Sequence, residues 1–239
     1  MKDNAAALIT GAGRGLGRAL AMALHRRGYR LVLVARTRAE LERTATEVRD
    51  AGGDAHVIVA DVGDPDEAPR IAALASDVVG DIQLLVHNAS ALGPLPMPLL
   101  ADLEPDALQR VFDVNLFGPF RLTRAVVAGM VLGDGGVVVQ VSSDAAVEAY
   151  PGWGAYAASK AAADHLTRTW AAELAEAGVR FFAVDPGEMD TAMHAQALPD
   201  ADPSTLADPS EVAARIVAMI DAGVGGGERL VAGAWERSA

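Results

Sequence analysis

Short, continuously apolar runs alternate along the chain with longer segments that are apolar on one face only. The short runs Ala6–Thr10, Leu31–Ala35, His56–Ala60, Leu84–His87, Val137–Val141, Val179–Val184 and Arg229–Ala232 read as strands. The longer ones, Leu16–Arg27, Arg38–Ala51, Asp66–Val79, residues 105–132, Gly154–Ala177 and Ser210–Ala222, read as helices. Strands without polar alternation are buried on both faces. Strand and helix in strict succession imply a parallel sheet with crossover helices. The pattern predicts one doubly wound α/β domain over residues 1–239, with a seven-stranded, mostly parallel sheet and helices on both faces. Residues 187–209, with prolines at 199, 203 and 209, form the one long stretch without a clear period. A connection of that size in a compact domain suits a lid or substrate-binding loop.

Composition acts mainly by exclusion. With 239 residues, 51% of them hydrophobic, the chain can bury a substantial core. No charge-free apolar run reaches the length of a membrane span. Met1 to Asn4 lead straight into the first strand, without the apolar stretch and cleavage site of a secretory signal, so none is expected. There is no cysteine, so disulfides, thiolate metal sites and cysteine nucleophiles are out. These features together give a cytoplasmic expectation. The formal charge of −12 argues against a nucleic-acid partner. The five histidines (His25, His56, His87, His165, His194) lack ligand spacing, so no metal site is expected.

Thr10-Gly11-Ala12-Gly13-Arg14-Gly15-Leu16-Gly17 joins the first strand to the first helix. Gly11, Gly15 and Gly17 allow a tight turn and close approach of a pyrophosphate, and the helix start at Leu16 offers unpaired N–H groups. The spacing is TGxxxGxG rather than GxGxxG. In this spacing, and in Tyr156-Ala157-Ala158-Ser159-Lys160, the chain resembles the short-chain dehydrogenase/reductase family, in its compact branch of about 250 residues. The matching motifs run from Thr10 to Thr191, about four-fifths of the chain. The resemblance implies a Rossmann-type domain that moves a hydride between NAD(P)H and a small-molecule carbonyl or alcohol. A catalytically silent NADP(H)-binding sensor or scaffold is the alternative reading.

The second strand ends in Arg36, followed by Thr37 and Arg38, with no acid in reach where an NAD enzyme keeps one. Arg14 supplies a second basic group in the glycine turn. Arginine suits the 2′-phosphate of NADP, so NADP(H) is expected over NAD(H). By resemblance, Asp61 and Val62 hold the adenine ring and Asn88-Ala89 follow the fourth strand. Ser90 replaces the family's usual glycine there and adds a side chain near the cleft.

On a helix Tyr156 and Lys160 share a face. A neighbouring ammonium would lower the phenol's pKa toward working range, making Tyr156 a general acid in reduction and a base in oxidation. The resemblance also puts both residues on the cofactor, Lys160 at the nicotinamide ribose. It assigns Ser143 to the substrate oxygen and Asn115 to a water in the proton path. Ser142 should point to the other side of its strand. Tyr150 lacks a lysine four residues on and reads as structural or substrate-lining. Pro186, Gly187 and Thr191 match PGxxxT, implying contacts to the carboxamide and delivery of the pro-S hydrogen. Leu92, Val147, Trp153, Met189 and Met193 are candidate walls of an apolar substrate pocket. By resemblance, the helices at 105–132 and 154–177 pair in a homodimer or homotetramer.

Overall fold

A computed structural model describes residues 5–133 and 135–236. Seven strands form one sheet: β1 (Ala6–Thr10), β2 (Arg30–Ala35), β3 (Ala55–Val59), β4 (Leu84–His87), β5 (Gly136–Val141), β6 (Val179–Asp185) and β7 (Gly226–Val231). Their order is β3-β2-β1-β4-β5-β6-β7, and every adjacent pair is parallel. The sheet is thus fully parallel, where a mostly parallel one was expected. Strand order reverses between β1 and β4, and in such sheets the crevice beyond the strand ends at that point is the ligand site.

Eight α-helices cover the sheet among the described residues: α1 (Gly15–His25), α2 (Arg38–Asp50), α3 (Glu67–Val79), α4 (Pro105–Phe112), α5 (Gly118–Leu132), α6 (Gly154–Leu174), α7 (Ala192–Ala197) and α8 (Pro209–Asp221). Strand side chains alternate between two cores. Ala7 and Ile9 of β1 face Leu20 and Leu24 of α1, Leu41 of α2 and Ile216 of α8. Ala6 and Leu8 face Ile71 of α3, Leu122 and Met130 of α5 and Ala171 of α6. With both faces buried, the strands have no polar alternation to show.

Three differences from the sequence reading have local causes. Residues 105–132 are two helices joined by a π turn over Asp113–Phe117. Pro119 has no N–H to give the Asn115 carbonyl, so the α-ladder cannot run through. Gly118 follows the turn because a Cβ there would stand 2.4 Å from the Val62 carbonyl oxygen. The stretch 187–209 contains α7 and a bridge from Met189 to Ala207, so it is less irregular than expected. β7 begins three residues early, in a glycine run that disfavours strands. Gly225 just before it is small because a Cβ would sit 2.2 Å from that of Arg180.

His87 at the end of β4 is buried, with Nε2 2.8 Å from Thr123 Oγ1. Burial first, then the charge of Lys160, push its pKa down to about 3. The unfolded chain therefore takes up a proton that the folded one refuses. This contribution to stability is complete above the ordinary histidine value and is lost as pH falls from there toward about 3. His87→Gln, which keeps a partner for Thr123, should flatten the acid-side decline in urea midpoints between about pH 7 and pH 4. Equal slopes in the two proteins would contradict this account.

Candidate active site

The two halves of the sheet are tied where they diverge. Thr10 Oγ1 donates to the Val86 carbonyl at 3.3 Å and accepts from the amides of Asn88 (3.0 Å) and Ala89 (3.1 Å). Asn88 Nδ2 returns to the carbonyls of Thr10 and Gly11 at 3.0 and 3.1 Å. A cleft of about 970 Å³ opens above this bracket, running from Arg36 and Asp61 past the glycine turn to Tyr156 and Met193.

The glycine turn fits a dinucleotide on several counts. Gly11 has φ +67° and Gly15 φ +51°. A Cβ on Gly17 would lie 2.2 Å from the Gly11 carbonyl oxygen, so α1 can pack against the turn only without one. Arg14 caps α1 with no side-chain hydrogen bond, leaving the helix's first N–H groups to the cleft. Gly187 has φ +74° and open space around it. Of the expected cofactor residues, Gly11, Arg14, Gly15, Leu16, Arg36, Asp61, Val62, Asn88, Ala89, Tyr156, Lys160, Pro186, Gly187 and Thr191 line the cleft. Gly17 lies buried beneath it.

One expectation is corrected at the far end. Acids are within reach of both arginines: Arg14 Nη1 is 3.7 Å from Glu40 Oε1, and Arg36 Nη1 is 3.7 Å from Asp61 Oδ2. Glu40 lies in the first turn of α2, which brings it back over Gly13; its partner Arg14 belongs to a different element, which hid the pair. Both pairs are long and solvent-exposed, so each arginine is only loosely held.

At the other end, α6 presents Tyr156 and Lys160 to the cleft. Tyr156 is buried, with Ser143 and Ser90 in hydrogen-bonding reach of its phenol. Its pKa is pushed up to about 12, chiefly by burial, against which the two serines act; Asp144 and Asp185 raise it further. The lysine does not bring the phenol down as anticipated. Lys160 Nζ donates to the Val141 carbonyl at 2.8 Å and stands 5.5 Å from the tyrosine ring centre. Burial drives its own pKa down to about 8, opposed by Asp164 and Asp185.

Ser143 Oγ donates to Asp144 Oδ1 at 2.9 Å and accepts from the Ala145 amide at 3.2 Å. Ser142 also lines the cleft, but its hydroxyl turns to α6, donating to Asp164 Oδ2 at 2.7 Å. Asn115 is buried out of the cleft. Its Oδ1 accepts from Ser90 Oγ and the Ala91 amide, and its Nδ2 donates to the Ala91 carbonyl and Ser159 Oγ. The side chain therefore laces β4's following loop to α6, and the π turn is what aims it inward.

Around Tyr156, Leu92, Met97, Ala145, Trp153, Ala157 and Met193 form an apolar cluster, with Trp153 edge-on to the tyrosine ring at 5.7 Å. Leu92, Met189 and Met193 also line the cleft, whereas Trp153 backs the tyrosine without reaching it. Val147 is 65% exposed and outside the cleft. Tyr150 donates to Asp144 Oδ2 at 2.9 Å.

A sequence profile for the short chain dehydrogenases matches residues 5–202. The chain belongs to that family. Versicolorin reductase from Emericella nidulans is 36% identical over 193 residues, 80% of this chain and 71% of that protein. A short chain dehydrogenase from Shigella flexneri complexed with NADP superposes with a TM-score of 0.90 at 27% identity, covering 97% of this chain and 98% of the other. An NAD⁺-bound xylitol dehydrogenase does so with 0.86 at 28%, over the same shares. The chain is thus a short-chain dehydrogenase of the oxidoreductase class, and both dinucleotides occur among its structural relatives.

In this dehydrogenase several site residues carry little sequence signal of their own. Asp144 and Asp185 each adjoin a motif residue, Ser143 and Pro186. Glu40 and Ser159 read as ordinary helix residues. Arg229 lies in the last strand, with nothing in the spacing to mark its buried partner Asp185. Gly17→Ala should destabilise the dehydrogenase by about 2 kcal/mol or more and abolish NADPH binding, because the Cβ meets backbone. Gly187→Ala, with open space but a positive φ, should cost only about 1 kcal/mol. Chemical unfolding with NADPH titration checks both; equal losses would mean that steric approach is not what the glycine turn is for.

Proposed function

We propose that the chain catalyses hydride transfer between NADP(H) and a carbonyl or alcohol, with Tyr156 as general acid/base. The observation that carries this is the meeting of a buried Tyr156, Ser143 and Lys160 at one end of a cleft whose other end is the glycine turn with Arg14 and Arg36. The bound nicotinamide supplies or accepts the hydride.

The protein's own groups handle the proton. A phenol held up at about 12 stays protonated at neutral pH, the form needed to protonate the oxygen of a carbonyl being reduced. Oxidation needs the phenolate, which the positive charge of an oxidised nicotinamide and of Lys160 would favour once both face it. Ser143 donates a hydrogen bond to Asp144. A substrate oxygen would take that hydrogen bond and be held beside Tyr156. Asn115 acts by fixing the loop of Ser90 and Ala91 against α6.

NADP(H) is favoured over NAD(H) because Arg36 is 73% exposed and, among the described residues, held only by the long contact to Asp61. Its planar fork is free to turn to a 2′-phosphate. Residues 187–209 would form the substrate side of the cleft, with Met189 and Met193 on its apolar wall. A homodimer or homotetramer through the α4–α5 region is supported by the exposure of Leu108, Phe117, Val131 and Leu132.

Tyr156→Phe should bind NADPH about as well as the parent while kcat for carbonyl reduction falls about 10²–10⁴-fold. Near-parental turnover would sink the assignment, and a parent protein silent toward a broad carbonyl panel would favour the NADP(H) sensor. Arg36→Ala should weaken NADPH about tenfold and leave NADH unchanged. Equal loss for both dinucleotides in a fluorescence titration would remove the case for NADP preference.

A further inference from the structure

Behind the reacting groups lies a buried ionic cluster for which hydride chemistry has no direct need. Arg229 on β7 is at its centre, with a side chain only 16% exposed. Its Nη2 donates to the Ser143 carbonyl at 2.7 Å and to Asp185 Oδ2 at 2.9 Å. Its Nε lies 3.3 Å from Asp164 Oδ2, an ion pair rather than a formed hydrogen bond. Asp164 Oδ2 also accepts from Ser142 Oγ at 2.7 Å, and Asp185 Oδ1 accepts from the Gly187 amide at 2.9 Å. One guanidinium therefore touches the ends of β5 and β6 and the helix that bears Tyr156 and Lys160.

Stability is a poor reason for such a cluster. Buried ion pairs are often no better than apolar residues of the same volume, because desolvation offsets the attraction. What apolar packing cannot do is fix a carbonyl and a carboxylate at set distances from one rigid plane, as an arginine fork does. The two groups Nη2 bridges belong to Ser143 and to the residue that holds the Gly187 turn.

We propose that Arg229 and Asp164 are positioning residues of this active site. Arg229 sets Ser143 against Tyr156 and, through Asp185, sets the Pro186–Gly187 turn; Asp164 holds the guanidinium and Ser142 in register with α6. The inference rests on the hydride-transfer reading, in which Ser143 and Gly187 face substrate and cofactor. It adds a group that touches neither. Asp164 has a second effect: it sits four residues from Lys160 on the same helix face and, with Asp185 on β6, favours the charged lysine. The other groups facing Lys160 are Tyr156 on α6 and His87 on β4, with Arg229 of β7 behind Asp164.

Two variants and three readouts test this. Arg229→Lys keeps the charge but loses the fork. Asp164→Asn keeps an acceptor for Ser142 but loses the charge, and stands in should the lysine variant fail to fold. With thermal unfolding measured for each, NADPH affinity is read by fluorescence, kcat and KM for a ketone that the parent reduces, and kcat against pH. We expect Arg229→Lys to weaken NADPH at least about fivefold and lower kcat at least about tenfold, with KM changed less. Asp164→Asn should shift the alkaline limb of the kcat profile to lower pH, since Lys160 then loses its proton sooner. The proposal is overturned if both variants only lower the unfolding temperature while NADPH affinity, kcat and the pH profile stay at parental values. Failure of the underlying reading looks different: the parent itself would reduce no carbonyl, and the NADPH affinity of Arg229→Lys would still report on the Gly187 turn.

Discussion

The bracket between Thr10 and Asn88 is the constraint on which the rest of the site depends. A doubly wound sheet opens a crevice where its strand order reverses, but the opening alone does not set its width. Here one hydroxyl and one amide close five hydrogen bonds across it, all between groups that would otherwise be unpaired backbone or buried polar atoms. The glycine turn then has a fixed floor. Everything above it, from α1's free N–H groups to the Ser90–Asn115 contact, is referenced to those two residues.

Burial sets the chemistry as much as the choice of side chain does. Tyr156 and Lys160 are both withdrawn from water, and desolvation moves them in opposite directions, phenol up and ammonium down, each toward its neutral form. In that state the phenol keeps the proton it would donate, while the lysine holds its own proton less firmly. Asp164 and Asp185 work against the loss of charge on the lysine, so the depth at which the pair sits and the carboxylates beneath it are two halves of one balance.

The element order and nearly every strand could be read from the sequence because both sheet faces are covered and the apolar runs are unbroken. The π turn could not, since Asn115 and Pro119 lie inside a segment with an intact helical period. The glycine turn, Tyr156, Lys160 and Ser143 were visible as motifs, and they converge on one cleft. Glu40 over Gly13, Asp144 on Ser143 and Arg229 beneath it were not visible. The partners of Glu40 and Arg229 lie far off in sequence, Asp144 is the next residue after Ser143 but its side chain's direction is not written in the spacing, and a charged residue looks the same whether it meets water or another polar group. The sign of the tyrosine's shift was also missed, because spacing on a helix gives the distance to Lys160 and says nothing of how deep the pair is buried.

Arg229 lies beyond residue 202, where the match to the family profile stops. The portion of the chain that looks most like its relatives therefore ends before the strand that braces the serine from behind. A chimera that kept residues 5–202 and borrowed a relative's tail would carry every recognisable motif intact. Asp164 and Asp185 would then depend on the borrowed strand for the cation that Arg229 supplies here. For this protein the interchangeable part is the front of the cleft, and the C-terminal strand has to be inherited together with it.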